Sequence, residues 1–186
     1  MFAQLFRREK SCATLWPMEL VTIDIHQAHA SEAAEVADVH LASWQAAYRG
    51  IIPHTVLEQM IARRGDSWWQ KAINRGTHVI VINFNGLIVG YATVGLNRAR
   101  TLAYGGEIYE LYLLPEYQGI GLGRQLFENA QKVLSHYGLK SNVLWVLEEN
   151  EQACLFYERM GGRMVKRASE IFGDKCLQKR AYAWGA

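Results

Sequence analysis

The sequence predicts a single α/β domain with a mixed, mostly antiparallel sheet of about six to seven strands. Three observations predict this fold class. Runs rich in β-branched residues alternate with segments of helical periodicity along most of the chain. Two pairs of such runs flank tight turns at residues 83–86 and 173–174, as in antiparallel hairpins. A strand that ends at Pro115 leads through a glycine-rich turn into a helix, which favours parallel pairing with the strand that follows.

The first half of the chain is predicted to begin with one strand and to continue with helices. Residues 20–25 alternate apolar and polar side chains, as expected of a half-buried strand. Ser31 is a candidate N-cap for a helix whose apolar positions recur at helical spacing until Gly50. Pro53 then opens a second short helix, and residues 67–73 continue it.

The second half is predicted to carry the rest of the sheet. Residues 78–82 and 87–94 form a hairpin around an Asn-Gly step. The elements that follow are strand, helix, strand, helix, strand and strand, at residues 105–114, 122–137, 141–147, 152–160, 163–171 and 175–184. About four helices in all are therefore expected to flank the sheet.

Composition excludes several classes of function. The chain has 186 residues, half of them apolar, and a net charge of +2 from 20 basic and 18 acidic residues. This length suits one domain, and the balanced charge gives no reason to expect a nucleic-acid partner. No apolar stretch approaches the roughly 20 residues of a membrane-spanning helix, so no membrane partner is expected.

The cysteines and histidines give no reason to expect a metal. The cysteines have neither disulfide-framework nor zinc-site spacing and favour a reducing cytoplasm; they are Cys12, Cys154 and Cys176. The histidines also lack metal-ligand spacing. Exposed or helix-end positions are expected for His26, His29, His40, His54, His78 and His136.

Residues 1–18 are predicted to be an extension that precedes the domain, which then spans residues 19–186. The opening segment carries several charges and lacks the uninterrupted apolar region of a secretory signal. Met18 stands directly before the first predicted strand. A translation start at Met1 and one at Met18 both stay open.

The glycine-rich turn is the strongest candidate binding site. Such a turn presents free main-chain N–H groups at the positive end of the helix dipole, where phosphate groups bind. Gly121 and Gly123 lack a Cβ, so the main chain can approach an anion closely, and Arg124 adds charge. No Gly-Lys-Ser/Thr follows, which disfavours a P-loop. The glycine spacing also disfavours a dinucleotide-binding oxidoreductase, which stays a weaker alternative because Glu148 and Glu149 end the next strand.

Two runs of residues resemble motifs of the GNAT superfamily of N-acetyltransferases. Residues 111–124, Leu-Tyr-Leu-Leu-Pro-Glu-Tyr-Gln-Gly-Ile-Gly-Leu-Gly-Arg, are similar to the family's cofactor motif, whose core is Gln/Arg-x-x-Gly-x-Gly/Ala. Residues 150–162 resemble its second motif, in which an Asn opens a helix and a Tyr follows seven residues later. Residues 44–50 are similar to the first-helix segment of many bacterial members. The resemblance covers residues 20–184.

The resemblance implies that the cofactor is acetyl-CoA and that it enters between two central parallel strands that splay apart. Its pantetheine arm pairs with one of these strands, and its pyrophosphate binds the amides of the glycine-rich turn. Asn150 hydrogen-bonds the arm or the phosphate-linked portion, or it serves only as a helix N-cap. The implied cofactor-binding residues are Leu111, Tyr112, Leu113, Gln118, Gly119, Ile120, Gly121, Leu122, Gly123, Arg124 and Asn150.

A catalytic base is expected because an amine with a pKa of about 10.4 is mostly protonated at neutral pH. Glu107 stands where the resemblance places a catalytic glutamate. Period-two geometry puts Glu107 on the face of Leu111 and Glu110 on the other face, so that the two cannot do the same job. Glu107 is the first candidate, and Glu110 and ordered water are the alternatives. Some members carry the base five residues before the motif Asn, where this chain has Trp145, so that mechanism is not expected.

Further roles follow from the same resemblance. The amide of Leu113 is expected to stabilise the tetrahedral oxyanion, and Tyr157 to donate a hydrogen bond or a proton to the departing thiolate. Core packing is the alternative for Tyr157. Trp44 and Tyr48, one helical turn apart in the segment that roofs the acceptor site in this superfamily, are expected to contact the acceptor, with core packing again the alternative.

The predicted function is direct transfer of an acetyl group from acetyl-CoA to a primary amine of a small molecule, a protein or a peptide, in a ternary complex. A non-catalytic acyl-CoA-binding sensor is the alternative, because the cofactor motif alone does not separate the two. The identity of the amine and the length of the acyl group stay open. The terminal hairpin offers an edge through which a homodimer could form.

Overall fold

The computed structural model describes residues 21–185, and in this part of the chain it shows a seven-stranded sheet and five α-helices. The strands are β1 (Ile23–Gln27), β2 (His78–Phe84), β3 (Leu87–Leu96), β4 (Gly106–Leu113), β5 (Asn142–Leu147), β6 (Arg163–Phe172) and β7 (Lys175–Trp184). The helices are α1 (Ala33–Tyr48), α2 (His54–Ala62), α3 (Asp66–Asn74), α4 (Leu122–His136) and α5 (Glu151–Arg159). The predicted extension over residues 1–18, and with it the choice between Met1 and Met18, lies outside the described residues.

The sheet is mixed and mostly antiparallel, as the sequence predicts. Its strand order is β1-β2-β3-β4-β5-β7-β6. Among the described strands only β4 and β5 pair in parallel, and α4 supplies the crossover that a parallel pair requires. The prediction of a mixed sheet with one central parallel pair is confirmed.

The β2–β3 hairpin has the two-residue turn that the Asn-Gly step predicts. Phe84 pairs with Leu87, which leaves Asn85 and Gly86 as the turn. Their φ angles are 52° and 86°, the left-handed values of a type I′ turn. This turn fixes the register of the hairpin that β4 joins.

The described helices number five rather than about four, because the segment predicted to continue α2 forms a separate helix. Gly65 is the N-cap of α3 and has an extended backbone, with φ −75° and ψ −177°. An extended residue interrupts the helical hydrogen-bond ladder, so α3 can turn away from α2 and pack on α1. None of the helices in residues 21–185 combines the length and the apolar character needed to cross a bilayer.

The sheet separates two layers of helices. On one face, α4 and α5 cover an apolar cluster that contains Ile108 and Leu126. On the other face, α1 and α3 cover a cluster that contains Trp69 and Tyr91, and α2 contributes Leu57 to a third. Both layers flank the central strands β4 and β5, where the candidate site lies.

Candidate functional site

The central parallel strands diverge after their first residues and open a cleft. β4 pairs with β5 at Gly106 with Asn142 and at Glu107 with Val143, and not beyond. The cleft that opens past these pairs has a volume of about 470 Å³. It continues from the two strands to the glycine-rich turn before α4. The two strands thus splay apart, as the resemblance implies.

Most of the predicted site residues line this cleft. They are Tyr48, Leu111, Tyr112, Leu113, Gln118, Gly119, Gly121, Gly123, Arg124, Asn150 and Tyr157. Four predicted residues are not part of its lining, namely Trp44, Glu107, Ile120 and Leu122. The Ile120 side chain is exposed and that of Leu122 is buried in the core beneath α4, so these two can serve the site only through their main chain.

The glycine-rich turn presents its main chain at the start of α4. Gly119 and Gly121 have φ angles of 78° and 94°, values that residues with a Cβ rarely adopt. Gly121 is the N-cap of α4, and no atom lies within 4 Å of where a Cβ would stand on either glycine. Arg124 adds a positive charge in the first turn. Open main chain, the helix dipole and a guanidinium together suit an anion.

The edge of β4 that faces the cleft offers main-chain groups. Leu114 donates its amide to the carbonyl oxygen of Val89 on β3 at 2.9 Å. Because successive N–H groups of a strand point to opposite edges, the amide of Leu113 points away from β3 and into the cleft. The carbonyl oxygen of Leu113 accepts a hydrogen bond from Nε2 of Gln118 at 3.1 Å. The Leu113 amide is therefore a donor placed between the two strands.

Helix α5 and its N-cap supply two of the predicted residues of the cleft wall. Asn150 is the N-cap of α5, because its Oδ1 accepts a hydrogen bond from the amide of Ala153 at 3.2 Å. Tyr157 lies two turns later, buried against the ring of Phe127. Burial raises the pKa of Tyr157 above its ordinary value of 10.0. Its phenol is therefore protonated at neutral pH and can donate a hydrogen bond.

A β-bulge lies in the middle of β4, where Tyr109 is an extra residue with no pairing position on β3. Its neighbours Ile108 and Glu110 pair with Val94 and Thr93, two consecutive residues of β3. A bulge inserts one residue into one strand only, so the alternation of side chains shifts by one from this point onward.

The bulge makes one sequence prediction wrong. Strict alternation puts Glu107 on the face of Leu111 and Glu110 on the opposite face. In the structure Ile108 and Leu111 instead pack in the same cluster with α4. Glu107 directly precedes Ile108, and Glu110 directly precedes Leu111. Because adjacent side chains point to opposite faces of a strand, both glutamates lie on the face toward α1. The face of β4 therefore does not separate the two glutamates as candidates for the base.

Glu107 is engaged by the loop between β3 and β4. Its side chain is 4% exposed, and its Oε2 and Oε1 accept hydrogen bonds from the main-chain N and the Nη2 of Arg98, each at 2.8 Å. The guanidinium of Arg98 lies 3.9 Å from the centre of the Tyr109 ring. These contacts tie the loop to β4, and the catalytic role of Glu107 stays a prediction.

Glu110 lines the cleft at the end nearest α1. It accepts hydrogen bonds from the guanidinium of Arg64 and, at 3.3 Å, from the hydroxyl of Thr93. Burial raises the pKa of the Glu110 carboxyl above its ordinary value, although the charge and the hydrogen bond of Arg64 oppose this rise. Arg64 itself lies over the rings of Trp44 and Trp68, at 5.8 and 5.0 Å.

An aromatic wall stands beside Glu110. The rings of Trp44 and Tyr48 are 5.2 Å apart, so the two residues predicted to contact the acceptor do contact each other. Tyr48 is also hydrogen-bonded to Tyr112, hydroxyl to hydroxyl, at 2.7 Å. Burial raises the pKa of Tyr48 to about 12. Tyr48 and Tyr112 line the cleft, and Trp44 supports them from behind.

Trp145 on β5 forms the opposite wall of the same end. Lys179 lies over its ring, with Nζ 4.9 Å from the ring centre, and the same Nζ binds a carboxylate oxygen of Glu170 at 2.7 Å. Trp145 stands five residues before Asn150, at the position where the resemblance implies the base of some GNAT members.

Two cations beside this end of the cleft, Arg64 and Lys179, are not among the residues predicted from the sequence. Arg64 stands in the turn between α2 and α3 and is 46 residues from Glu110 along the chain. Lys179 stands in the last strand. Neither residue belongs to a motif, and only the fold brings them to the site. One pattern could have indicated that Lys179 faces inward. The alternation of β7 puts Lys179 on the same side of the strand as the buried Leu177.

One expectation for the histidines is wrong. His40 is fully buried in α1, where its Nδ1 is hydrogen-bonded to the hydroxyl of Tyr91 at 2.8 Å. Burial, with a smaller effect of the nearby Arg64 charge, lowers the pKa of His40 to about 3. His40 is thus a neutral core residue. Within residues 21–185, no group of three or more His, Cys, Asp or Glu side chains is placed to hold a metal ion.

Known proteins share the sequence and the fold of this chain. The model of a family described as acetyltransferase (GNAT) matches residues 39–162. An uncharacterized N-acetyltransferase of Bacillus subtilis (strain 168), YuaI, is 28% identical over 162 residues, which cover 87% of this chain and 92% of the relative. A spermidine N(1)-acetyltransferase of Thermoplasma acidophilum is 25% identical over 144 residues, 76% of this chain and 88% of the relative.

A solved structure shows the same fold. It is the crystal structure of PaiA N-acetyltransferase from Thermoplasma acidophilum in complex with coenzyme A. The two folds superpose with a TM-score of 0.69 at 20% sequence identity, over 87% of this chain and 99% of that one.

Proposed function

This chain belongs to the acetyltransferase (GNAT) family, and from that premise we propose that it moves an acetyl group from acetyl-CoA directly to a primary amine of a small molecule or a protein. One observation carries the proposal. A single cleft runs from the main-chain groups at the start of α4 to Glu110 and the aromatic wall. A cleft that joins an anion site to a polar and aromatic end suits two reactants bound together in a ternary complex.

The residues present fit the coenzyme. The open main chain of Gly119 and Gly121, with Arg124, would hold the pyrophosphate. The cleft edge of β4 at Leu113, faced by Asn150, would hold the pantetheine arm. Acetyl-CoA supplies a thioester, whose C–S bond breaks as the amine nitrogen bonds the acetyl carbon.

Two donors of this chain serve the thioester. The amide of Leu113, which points into the cleft, would hydrogen-bond the acyl oxygen. The hydroxyl of Tyr157 would donate to the sulfur. Because burial raises the pKa of Tyr157, its hydroxyl keeps its proton and acts as a hydrogen-bond donor to the leaving sulfur.

Glu110 is our proposed base, acting directly or through a water molecule. It lines the cleft, and its raised pKa suits a group that must take a proton from an ammonium or an attacking amine. Glu107 is held by Arg98 outside the lining and would act at the site through the position of β4.

The acceptor is proposed to be an amine because the relatives act on amines. One relative is named for spermidine. The aromatic wall of Tyr48, Tyr112 and Trp145 would face the acceptor, with Trp44 behind it.

Binding and turnover measured together test the proposed function. Acetyl-CoA is titrated by calorimetry, and release of free thiol is then followed across a panel of amines. We expect binding together with amine-dependent thiol release. Binding without turnover for every amine would favour the alternative, a sensor of acyl-CoA, and absence of binding would refute both.

A substitution in the glycine-rich turn tests the site of the pyrophosphate. Gly121→Glu places a negative charge and a side chain in the open space at the start of α4, so binding of acetyl-CoA should be lost. Gly138→Glu is the matched control, because Gly138 also has a positive φ, of 78°, and open surroundings but lies outside the cleft. Equal loss of binding in both variants would contradict the assignment.

A homodimer and a cytoplasmic location complete the proposal. β6 is an edge strand of the sheet and exposes Met164, Val165 and Ile171, which suits pairing with a second copy. Cys154 and Cys176 are both free thiols, in keeping with a reducing compartment. Light scattering of the purified chain tests the dimer, and a monomeric mass at working concentration would refute it.

A further inference from the structure

The chain itself neutralises the carboxylate at the acceptor end of the cleft. Glu110 is paired with Arg64, and its second oxygen accepts from Thr93. Outside the cleft lining, Glu170 is paired at 2.7 Å with Lys179, the cation that lies over the ring of Trp145. Glu110, the one carboxylate among the described residues that line the cleft, thus already has a cation of the chain beside it.

Three tryptophan rings near this end are paired with cations of the chain. Arg64 lies over Trp44 and Trp68, and Lys179 lies over Trp145. These are the positions in which an aromatic ring attracts a cation most strongly. A polycationic acceptor would therefore find Glu110 and the ring of Trp145, both in the cleft lining, already paired with cations of the chain.

Arg64 has binding capacity left. A guanidinium carries five N–H donors, and within residues 21–185 one nitrogen, Nη1, is engaged by a protein acceptor, the carboxylate of Glu110. The Arg64 side chain is 31% exposed, whereas that of Glu110 is 11% exposed. The guanidinium lies over two tryptophan rings and is paired with Glu110, and a guanidinium is well suited to a planar anion such as a carboxylate.

A second donor points to the same chemistry. Ser43 on α1 lines the cleft and is 3% exposed. Its Oγ is buried and has no hydrogen-bond partner among the described residues. A buried hydroxyl without a partner is costly, and a polar group of a bound ligand would satisfy it.

From these contacts we infer that the acceptor is an amine whose neighbouring carbon carries a carboxylate, as in a free amino acid. Arg64 and Ser43 bind the carboxylate of this acceptor, and Glu110 lies beside its amine. The inference rests on the proposed function, since it names the substrate class of the same site. It separates this chain from the relative named for spermidine, whose acceptor is a polycation without a carboxylate.

Matched pairs of amines test the inference. Each pair is an amino acid and its decarboxylated counterpart, for example phenylalanine with phenethylamine and ornithine with putrescine, and spermidine is added as a polycation. The measured quantity is kcat/KM at saturating acetyl-CoA. The wild-type chain should favour the amino acid in each pair by roughly tenfold to one hundredfold, the range of a hydrogen bond to a charged group.

Variants at Arg64 separate recognition from structure. Arg64→Gln should abolish the preference for the carboxylate, and Arg64→Lys should keep part of it. Loss of Arg64 also leaves Glu110 without its cation, and that charge acts unequally on the two members of a pair. Arg64→Lys keeps a cation beside Glu110, so it is the variant that isolates the lost guanidinium contacts. Arg63→Gln is the matched control, because Arg63 is the exposed neighbour in the same turn and should keep the wild-type ratio.

The outcomes are distinct. A wild-type preference for putrescine, spermidine or phenethylamine would overturn the inference while leaving the proposed function intact. An equal loss for both members of each pair in Arg64→Gln, with the ratio unchanged, would also overturn it, because Arg64 would then act only on structure. If no amine is acetylated although acetyl-CoA binds, the proposed function itself fails and the inference fails with it.

Discussion

Tyr157 combines burial with a place in the cleft wall, and this limits the chemistry that it can perform. Burial holds its pKa above 10.0, so the phenolate form is rare at neutral pH. A phenol of this kind gives a hydrogen bond to a developing thiolate more readily than it gives up its proton. We therefore expect the Tyr157 hydroxyl to contribute to the transition state more than to the binding of acetyl-CoA.

Tyr157→Phe should lower kcat by about tenfold to one hundredfold with little change in the affinity for acetyl-CoA. The ring stays, so packing against Phe127 is kept, and only the hydroxyl is lost. The measurements are steady-state rates and calorimetric titration. Tyr137→Phe removes an exposed hydroxyl outside the cleft and is the control. An unchanged kcat in Tyr157→Phe would end its role as donor.

Glu110→Gln should lower kcat by about one hundredfold at neutral pH, the lower bound of general-base catalysis. The loss should shrink at alkaline pH, because the amine is then already neutral and a base helps less. The measurement is the pH profile of kcat for both Glu110→Gln and Glu107→Gln. If Glu107→Gln shows the larger loss and the flatter profile, Glu107 is the base, as the sequence motif alone suggests.

At the residue scale, the sequence best predicted the residues whose roles depend on the main chain or on neighbours a few positions away. Gly121 and Asn150 lie in short motifs, so the neighbours that determine their roles are a few positions away. Arg64 is different, because its partners Glu110 and Trp44 come from other elements. Nothing near Arg64 in the sequence records that the fold brings them together.

Strand β4 sets the geometry of the site at the element scale. The bulge at Tyr109 shifts the in-and-out alternation of side chains by one residue between the two halves of β4. A strict period of two along the whole strand therefore assigns Glu107 to the wrong face. A bulge leaves little mark in a sequence, because any residue can occupy it. The turn at Asn85 and Gly86, by contrast, needs two positive φ angles and was therefore predictable.

Gly90→Ala should destabilise the fold through β4. A Cβ on Gly90 would stand 2.7 Å from the carbonyl oxygen of Tyr112 and closer still to Cδ2 of Leu113, where the neighbouring strand leaves no space. We expect a loss of about 1–3 kcal/mol in the free energy of unfolding and a rise in the KM for acetyl-CoA as Leu113 is displaced. Chemical denaturation and steady-state rates measure the two effects.

Gly65→Ala serves as the comparison for Gly90→Ala. Gly65 has a negative φ and nothing within 4 Å of its virtual Cβ, so an alanine should change the free energy of unfolding by less than about 0.5 kcal/mol. Equal effects at the two glycines would show that close packing against β4 is not the cause.

At the scale of the whole molecule, a small ionic cluster fastens the first strand to the helical layer. His26 on β1 is hydrogen-bonded to Asp24 at 2.7 Å and to Glu32 at 2.9 Å. Glu32 also accepts from the amide of His29 at 2.7 Å, which caps the turn before α1. The cluster thus links the outer strand of the sheet to the helix that covers the acceptor end.

The stability that this cluster contributes should fall as pH rises above about 6.5. Burial alone would lower the pKa of His26, but the hydrogen bonds and charges of Glu32 and Asp24 outweigh burial and raise it above 6.5. The contribution is therefore complete below pH 6.5 and is lost as pH rises through the folded-state pKa. Because the pKa of Glu32 is lowered, the contribution from Glu32 is present above 4.5 and disappears in stronger acid.

The difference in melting temperature between the wild-type chain and His26→Gln isolates this contribution. It should shrink by about 1–3 °C between pH 6 and pH 9, the size expected for a partly exposed ion pair. Taking the difference removes the opposing effect of His40, whose lowered pKa destabilises the fold as pH falls below 6.5. A difference that grows toward alkaline pH would contradict the raised pKa.

The divergence of β4 from β5 has a consequence for how this protein can change over generations. The side proposed to bind acetyl-CoA offers mainly peptide groups, which are the same whatever side chains they carry. The side proposed to bind the acceptor is lined by side chains on α1, β4 and β5, two of which are paired with Arg64 and Lys179. We expect substitutions on the acceptor side to change which amine binds without altering the binding of acetyl-CoA. Related chains can then keep acetyl-CoA as the acyl donor while their acceptors diverge.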